Sequence, residues 1–173
     1  MLKSTQKIYK NKIGHKFEKK KISTKDNTNY KMVNQAVILC GGLGTRLGTI
    51  TKKTPKPLIK IGKKSFLDIL IDRLIQKKIN KILLLCSYKS NHFFKKYHNK
   101  KINSKIKISC IDEKKPLGTG GALVNAINKL DDYFYLLNGD TYFDGDLLQL
   151  QEDFDRKNFD IILSTKKLLN DRY

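Results

Sequence analysis

Two cations follow a glycine-rich stretch in this 173-residue chain, and the combination is suited to binding phosphate. The glycines lie at 41, 42 and 44, directly after the apolar run 36–39, and Arg46 and Lys56 follow them. Glycine has no Cβ, so backbone N–H groups can approach an anion closely, and a neighbouring cation neutralises its charge. The pattern predicts a polyphosphate site at the end of a buried strand.

The elements that would position these residues alternate along the chain. Strands are predicted at 35–40, 81–86, 105–111, 133–138 and 160–165, and helices at 66–78, 91–97, 119–129 and 147–157. Ser65 and Asp146 are expected to cap two of the helices. The alternation predicts an α/β fold with a mostly parallel sheet and helices on both faces. Ligands of such sheets bind beyond the carboxyl ends of the strands, so loops 41–46, 113–121 and 138–140 are expected at one edge.

The charge of the chain is unevenly distributed. The net charge is +20, and residues 1–31 contain ten lysines against two acidic residues. This polar, aperiodic segment is predicted to be a disordered Lys-rich tail, followed by one domain over 32–173. Nearly all the cations are Lys, and Asn and Ile are abundant, which favours codon bias over a selected nucleic-acid surface. No specific nucleic-acid partner is expected.

Other sequence features exclude several classes of protein. No apolar stretch reaches the roughly 18 residues of a membrane span, so no membrane association is expected. Cys40, Cys86 and Cys110 each end an apolar run without metal-ligand or redox spacing, which favours buried thiols in a reducing cytoplasm. The sequence does not indicate an oligomeric state.

Four ordered motifs carry a family resemblance: LCGGLGTRL at 39–47, PKPL at 55–58, EKKPLGTGGAL at 113–123 and LNGDTYFD at 137–144. With them the chain resembles the sugar-phosphate nucleotidyltransferases, or nucleoside-diphosphate-sugar pyrophosphorylases, and looks closest to the D-glycero-D-manno-heptose 1-phosphate guanylyltransferases. The resemblance implies a Rossmann-like nucleotidyltransferase fold. It also implies transfer of a nucleotidyl group from a nucleoside triphosphate to a sugar 1-phosphate, with release of pyrophosphate, for surface polysaccharide synthesis.

The resemblance also implies roles for individual residues. Arg46 is expected to grip the triphosphate and Lys56 the reacting phosphates, and Asp140 is expected to reach a Mg²⁺ ion held by the nucleotide. Glu113 is expected to face the base. A carboxylate only accepts hydrogen bonds, and guanine presents two adjacent donors, so GTP is favoured. Further nucleotide contacts are expected from Leu39, Gly41, Gly42, Gly44, Thr45 and Gly118.

Each of these residues could instead have a structural or surface role that involves no ligand. Arg46 and Lys56 could be solvated surface cations, Asp140 could form an Asx-type turn, and Glu113 could be a solvated loop acid. The chain also stops where similar proteins begin the acceptor half, so it is expected to turn over little or nothing. A non-catalytic nucleotide-binding remnant or regulatory subunit, and a uridylyl- or cytidylyltransferase, are the alternative functions.

Overall fold

The computed structural model describes residues 6–10, 32–102, 106–157 and 160–165. The strands are β1 (Gln6–Lys10), β2 (Gln35–Leu39), β3 (Lys60–Ile61), β4 (Lys64–Ser65), β5 (Lys81–Cys86), β6 (Lys101–Ile102), β7 (Ile106–Asp112), β8 (Tyr133–Asn138) and β9 (Ile161–Ser164). The α-helices are α1 (Thr49–Lys53), α2 (Phe66–Gln76), α3 (Ser90–Tyr97), α4 (Gly118–Asn125) and α5 (Leu147–Lys157). Single 3₁₀ turns occur at Thr45–Leu47, Lys56–Leu58 and Ile127–Lys129.

Seven strands form one sheet in the order β6-β7-β5-β2-β8-β1-β9. The neighbours β7, β5, β2 and β8 are parallel, whereas β6 and β1 run antiparallel to the strands beside them. The predicted α/β class with a mostly parallel sheet is therefore confirmed. The small β3–β4 hairpin and the helix α1 were not predicted.

The central strands are buried on both faces of the sheet. Ile38 and Leu84 point into an apolar cluster that includes side chains of α2, α3 and α5. Val37 and Leu85 point to the other face, where Ala122 of α4 covers them. Continuous apolar runs are typical of such strands, because successive side chains face opposite layers of helices. Cys40, Cys86 and Cys110 are buried free thiols.

Local signals set the helix ends. Ser65 and Asp68 form a capping box at the start of α2, with the Asp68 N–H 3.3 Å from Ser65 Oγ and the Ser65 N–H 3.0 Å from Asp68 Oδ2. Burial alone would raise the pKa of Asp68, but hydrogen bonds from Lys96, Ser65 and Tyr97 lower it to about 2. At α5, the Leu148 N–H donates to Asp146 Oδ1 at 3.0 Å, so the predicted cap is present.

The prediction of a disordered tail over 1–31 is wrong for residues 6–10. These residues form β1, which lies between β8 and β9 and pairs with both, for instance Ile8 opposite Tyr135 and Ile162. Backbone pairing with β8 on one side and β9 on the other holds this strand in the sheet, although its polar composition indicated disorder. Residues 1–5 and 11–31 lie outside the described part of the chain. In the described residues, no helix is both long and apolar enough to cross a membrane.

Candidate functional site

A cleft of about 930 Å³ opens at the carboxyl ends of β2, β7 and β8. All ten residues singled out in the sequence line this cleft: Leu39, Gly41, Gly42, Gly44, Thr45, Arg46, Lys56, Glu113, Gly118 and Asp140. They come from four separate segments: the end of β2 with its glycine loop, the turn that begins at Lys56, the loop after β7 and the loop after β8. The parallel sheet brings the three loops that follow strands to one edge. The structure thus brings these residues together in one cleft.

The glycine loop is held in shape by Thr51 of α1. Gly44 has a φ of 65°, in the left-handed region, and a Cβ built on it would lie 2.8 Å from Thr51 Cγ2. The buried Thr51 hydroxyl lies 3.1 Å from both the Gly44 and Gly48 carbonyl oxygens and donates its hydrogen to this pair. Thr51 was not predicted from the sequence, because nothing around it distinguishes it from a surface threonine.

Arg46 and Lys56 differ in their surroundings. Arg46 is exposed in the 3₁₀ turn after Gly44, and it forms no ion pair with any other described residue. It is a surface cation in this structure, free to meet an anion in the cleft. Lys56 is only 25% exposed, and its Nζ lies 2.6 Å from Asp140 Oδ2. A solvated lysine in a turn is therefore excluded at position 56.

Glycine at position 139 brings Lys56 and Asp140 side by side. A Cβ at Gly139 would lie 2.8 Å from the Leu39 carbonyl oxygen and 3.3 Å from Pro57 Cγ. The end of β8 can therefore pack directly on the end of β2 and on the turn that carries Lys56. The other Asp140 oxygen, Oδ1, accepts a hydrogen bond from the Thr141 hydroxyl at 3.2 Å.

Glu113 lies beneath the glycine loop. Its residue is 7% exposed, and a Cβ at Gly41 would lie 3.5 Å from one of its carboxylate oxygens. Burial raises the pKa of the Glu113 carboxyl, although the Leu117 N–H donates to Oε2 at 3.5 Å. The alternative of a solvated loop acid is thus excluded. A buried carboxylate that accepts few hydrogen bonds from the protein itself is suited to accept hydrogen bonds from a ligand.

Two further contacts that the sequence did not indicate hold the loops of the cleft. The Tyr88 hydroxyl donates to the Thr51 carbonyl at 3.2 Å, which fixes α1 against the end of β5. Arg73 of α2 reaches the loop after Asp140, with Nη2 2.8 Å from Asp144 Oδ1 and Nη1 3.1 Å from the Tyr142 hydroxyl. These contacts tie the loop that follows Asp140 to α2.

Comparison with known proteins identifies the family. A family model described as nucleotidyl transferase matches residues 35–172. The chain belongs to the nucleotidyl transferase family. The family expected from the four motifs is therefore confirmed.

Two curated relatives of this chain carry the name D-glycero-alpha-D-manno-heptose 1-phosphate guanylyltransferase. The protein from Campylobacter jejuni subsp. jejuni serotype O:2 is 44% identical over 117 residues, which are 68% of this chain and 52% of that protein. The protein from Aneurinibacillus thermoaerophilus is 34% identical over 139 residues, which are 78% of this chain and 58% of that protein. The chain thus spans a little over half the length of these relatives.

Solved structures agree with the fold. HddC from Yersinia pseudotuberculosis, crystallised with GMP-PN, is 37% identical to this chain, with a TM-score of 0.60 over 70% of this chain and 54% of that chain. UTP-bound UGPase from Acinetobacter baumannii is 19% identical, with a TM-score of 0.63 over 73% of this chain. At that identity the second likeness concerns the fold alone.

Proposed function

We propose that this chain supplies the nucleotide-binding part of a guanylyltransferase that transfers GMP from GTP to a sugar 1-phosphate. The observation that carries the proposal is the meeting of Arg46, Lys56, Asp140 and Glu113 in one cleft. The names of the two curated relatives support a heptose 1-phosphate as the acceptor. The product would be a GDP-sugar for surface polysaccharide, made in the cytoplasm.

In the proposed reaction, an oxygen of the sugar 1-phosphate bonds to the α-phosphorus of GTP as the bond to pyrophosphate breaks. Negative charge develops on the non-bridging and leaving oxygens, and fixed cations and backbone N–H groups lower the barrier. Arg46, which is exposed in the turn after Gly44, binds the triphosphate. Lys56, whose stem packs against Gly44, binds the reacting phosphates.

The residues present fit a divalent metal ion carried by the nucleotide, and members of the family generally use one. Asp140 supplies a hard oxygen donor at the edge of the cleft, and Mg²⁺ commonly takes one or two carboxylates plus substrate phosphates. Within the described ranges, no group of three or more His, Cys, Asp or Glu side chains could hold an ion unaided. The metal would neutralise the phosphates and orient the attack.

Glu113 is the residue proposed to recognise the base. Its carboxylate can accept hydrogen bonds from N1–H and the N2 amine of guanine, a pair of donors that uracil, cytosine and adenine do not present. Since burial raises the pKa of Glu113, two donors from guanine would offset the cost of keeping it ionised.

Calorimetric titration of the full chain with GTP, UTP, CTP and ATP in the presence of Mg²⁺ tests the proposal. GTP is expected to bind most tightly, and Glu113→Gln is expected to reduce its advantage at least tenfold, because one donor of guanine then faces an amide N–H. Glu152→Gln, an exposed substitution on α5, is the matched control. Tighter binding of UTP or CTP would favour the uridylyl- or cytidylyltransferase alternative, and no nucleotide binding would refute the proposal.

A non-catalytic nucleotide-binding subunit is the second candidate function. The same cleft residues, Arg46, Lys56 and Glu113, would bind the nucleotide in that case. Pyrophosphate release from GTP plus heptose 1-phosphate distinguishes the two, since only the transferase releases pyrophosphate when the acceptor is added.

A further inference from the structure

Both carboxylate oxygens of Asp140 already have partners. Oδ2 lies 2.6 Å from the Lys56 ammonium, and Oδ1 accepts from the Thr141 hydroxyl at 3.2 Å. The first contact is at the short end of charge-assisted hydrogen bonds. A Mg²⁺ ion would have to approach the same oxygens to about 2.1 Å. The ammonium occupies one approach to Oδ2, and its charge repels a second cation.

Lys56 is held where it can serve two partners. It begins a 3₁₀ turn between two buried prolines, Pro55 and Pro57, so its backbone position is fixed. Its Cβ lies 3.2 Å from the place of a Cβ on Gly44, so the stem runs along the glycine loop. From this base the ammonium contacts Asp140 on one side and lines the phosphate cleft on the other.

We infer that Lys56 is an internal counter-ion that keeps divalent cations off Asp140 until the phosphates of a nucleotide draw the lysine away. The inference rests on the proposed function, because it takes the incoming anion to be a nucleoside triphosphate. Without nucleotide, Lys56 and Asp140 neutralise each other. With nucleotide, Lys56 pairs with phosphate and Asp140 is released to the metal. Metal and nucleotide therefore bind in a linked manner, and each raises the affinity for the other.

Titration of the nucleotide-free full chain with Mn²⁺, with free Mn²⁺ followed by electron paramagnetic resonance, tests the inference. Lys56→Met is expected to bind Mn²⁺ about tenfold more tightly than the wild type, since a part-buried charge-assisted hydrogen bond to the carboxylate is removed. Lys56→Gln is a second variant with the same expected direction. Lys53→Met removes an exposed lysine three residues earlier and is expected to keep the wild-type affinity.

A double variant tests whether the tighter Mn²⁺ binding of Lys56→Met depends on Asp140. Adding Asp140→Asn to Lys56→Met is expected to abolish the tighter Mn²⁺ binding. Unchanged Mn²⁺ affinity in both Lys56 variants, an equal gain in Lys53→Met, or a gain that survives Asp140→Asn would each overturn the inference.

Titration with GTP in EDTA tests whether Asp140 competes with the phosphates of the nucleotide for Lys56. Asp140→Asn is expected to bind metal-free GTP several-fold more tightly than the wild type, since Lys56 then has no competing partner. Unchanged or weaker binding of metal-free GTP by Asp140→Asn would contradict a competition between Asp140 and phosphate for Lys56. If the wild type binds no GTP with or without Mg²⁺, the proposed function fails. The Mn²⁺ titration contains no nucleotide, so it still decides whether Lys56 blocks Asp140.

Discussion

The hydroxyl of Thr51 lies 3.1 Å from the carbonyl oxygen of Gly44, and its methyl group fills the space that a side chain on Gly44 would need. The glycine loop and the helix that follows it are therefore one packed unit. A single buried threonine, seven residues beyond the glycine, fixes the backbone N–H groups of the loop in position. The shape of the glycine loop is thus a packing property as well as a consequence of its glycines.

Thr51→Val should show the contribution of this hydroxyl. Valine keeps the methyl group that packs on Gly44 but cannot donate to the two carbonyl oxygens. We expect the free energy of unfolding to fall by about 1 kcal/mol and GTP affinity to fall severalfold. Urea denaturation and calorimetry measure the two effects. Thr49→Val, an exposed change in the same helix, is the control, and equal behaviour of the two variants would contradict the assignment.

Glu113→Gln should stabilise the protein in a pH-dependent way. Burial raises the pKa of Glu113 in the folded state, so the folded protein binds this proton more tightly than the unfolded chain does. Ionisation of Glu113 therefore destabilises the folded protein as the pH rises through the raised pKa. Below the pKa that Glu113 has in the unfolded chain, it makes no contribution to stability. We expect Glu113→Gln to raise the free energy of unfolding near pH 8 and to change it little near pH 4.

Urea denaturation at the two pH values provides the measurement for Glu113→Gln. Glu152→Gln, at an exposed position, should show no difference between them. A gain for Glu113→Gln of the same size at both pH values would show that ionisation is not its cause.

Arg73→Met should loosen the loop that follows Asp140. Arg73 contacts Asp144 at 2.8 Å and Tyr142 at 3.1 Å, and its guanidinium lies 5.2 Å from the centre of the Tyr142 ring. Asp144 is 83% exposed, so the expected loss is modest, about threefold in the Mg²⁺-dependent part of GTP affinity. Hydrogen exchange of residues 141–146 should also accelerate.

Lys77→Met is the matched control for the Arg73 contact. It removes only an ion pair of 3.6 Å with Asp146, at the start of α5. Faster exchange and weaker GTP binding are expected from Arg73→Met alone. If both variants behave like the wild type, the loop is held by its apolar contacts rather than by Arg73.

Ile8→Pro should test whether β1 belongs to the sheet. Proline has no N–H and does not fit a strand that is paired on both sides. We expect the free energy of unfolding to fall by about 2 kcal/mol or more. Ile22→Pro, which lies in the same Lys-rich segment but outside the described residues, is the comparison. Circular dichroism melts measure both, and a neutral effect of Ile8→Pro would restore the original expectation of a disordered tail.

The helices and the parallel strands were predictable because their signals are local. Apolar periodicity and the capping residues Ser65 and Asp146 depend on neighbours a few residues away, and the structure retains them with shifts of a few residues at the ends. The strand β1 was missed for the opposite reason. Its composition is polar, and its pairing with β8 and β9 involves residues more than 120 positions away in the chain.

The sequence by itself determined the family, the α/β class and the edge of the sheet where the glycine loop, Glu113 and Asp140 meet, because strand direction alone sends those loops to the same side. The tertiary structure decided which side chains touch. Lys56 and Asp140 are 84 residues apart, and they pair because Gly139 lets β8 pack on Pro57. Such contacts depend on close packing between distant segments, and no local pattern in the chain records them.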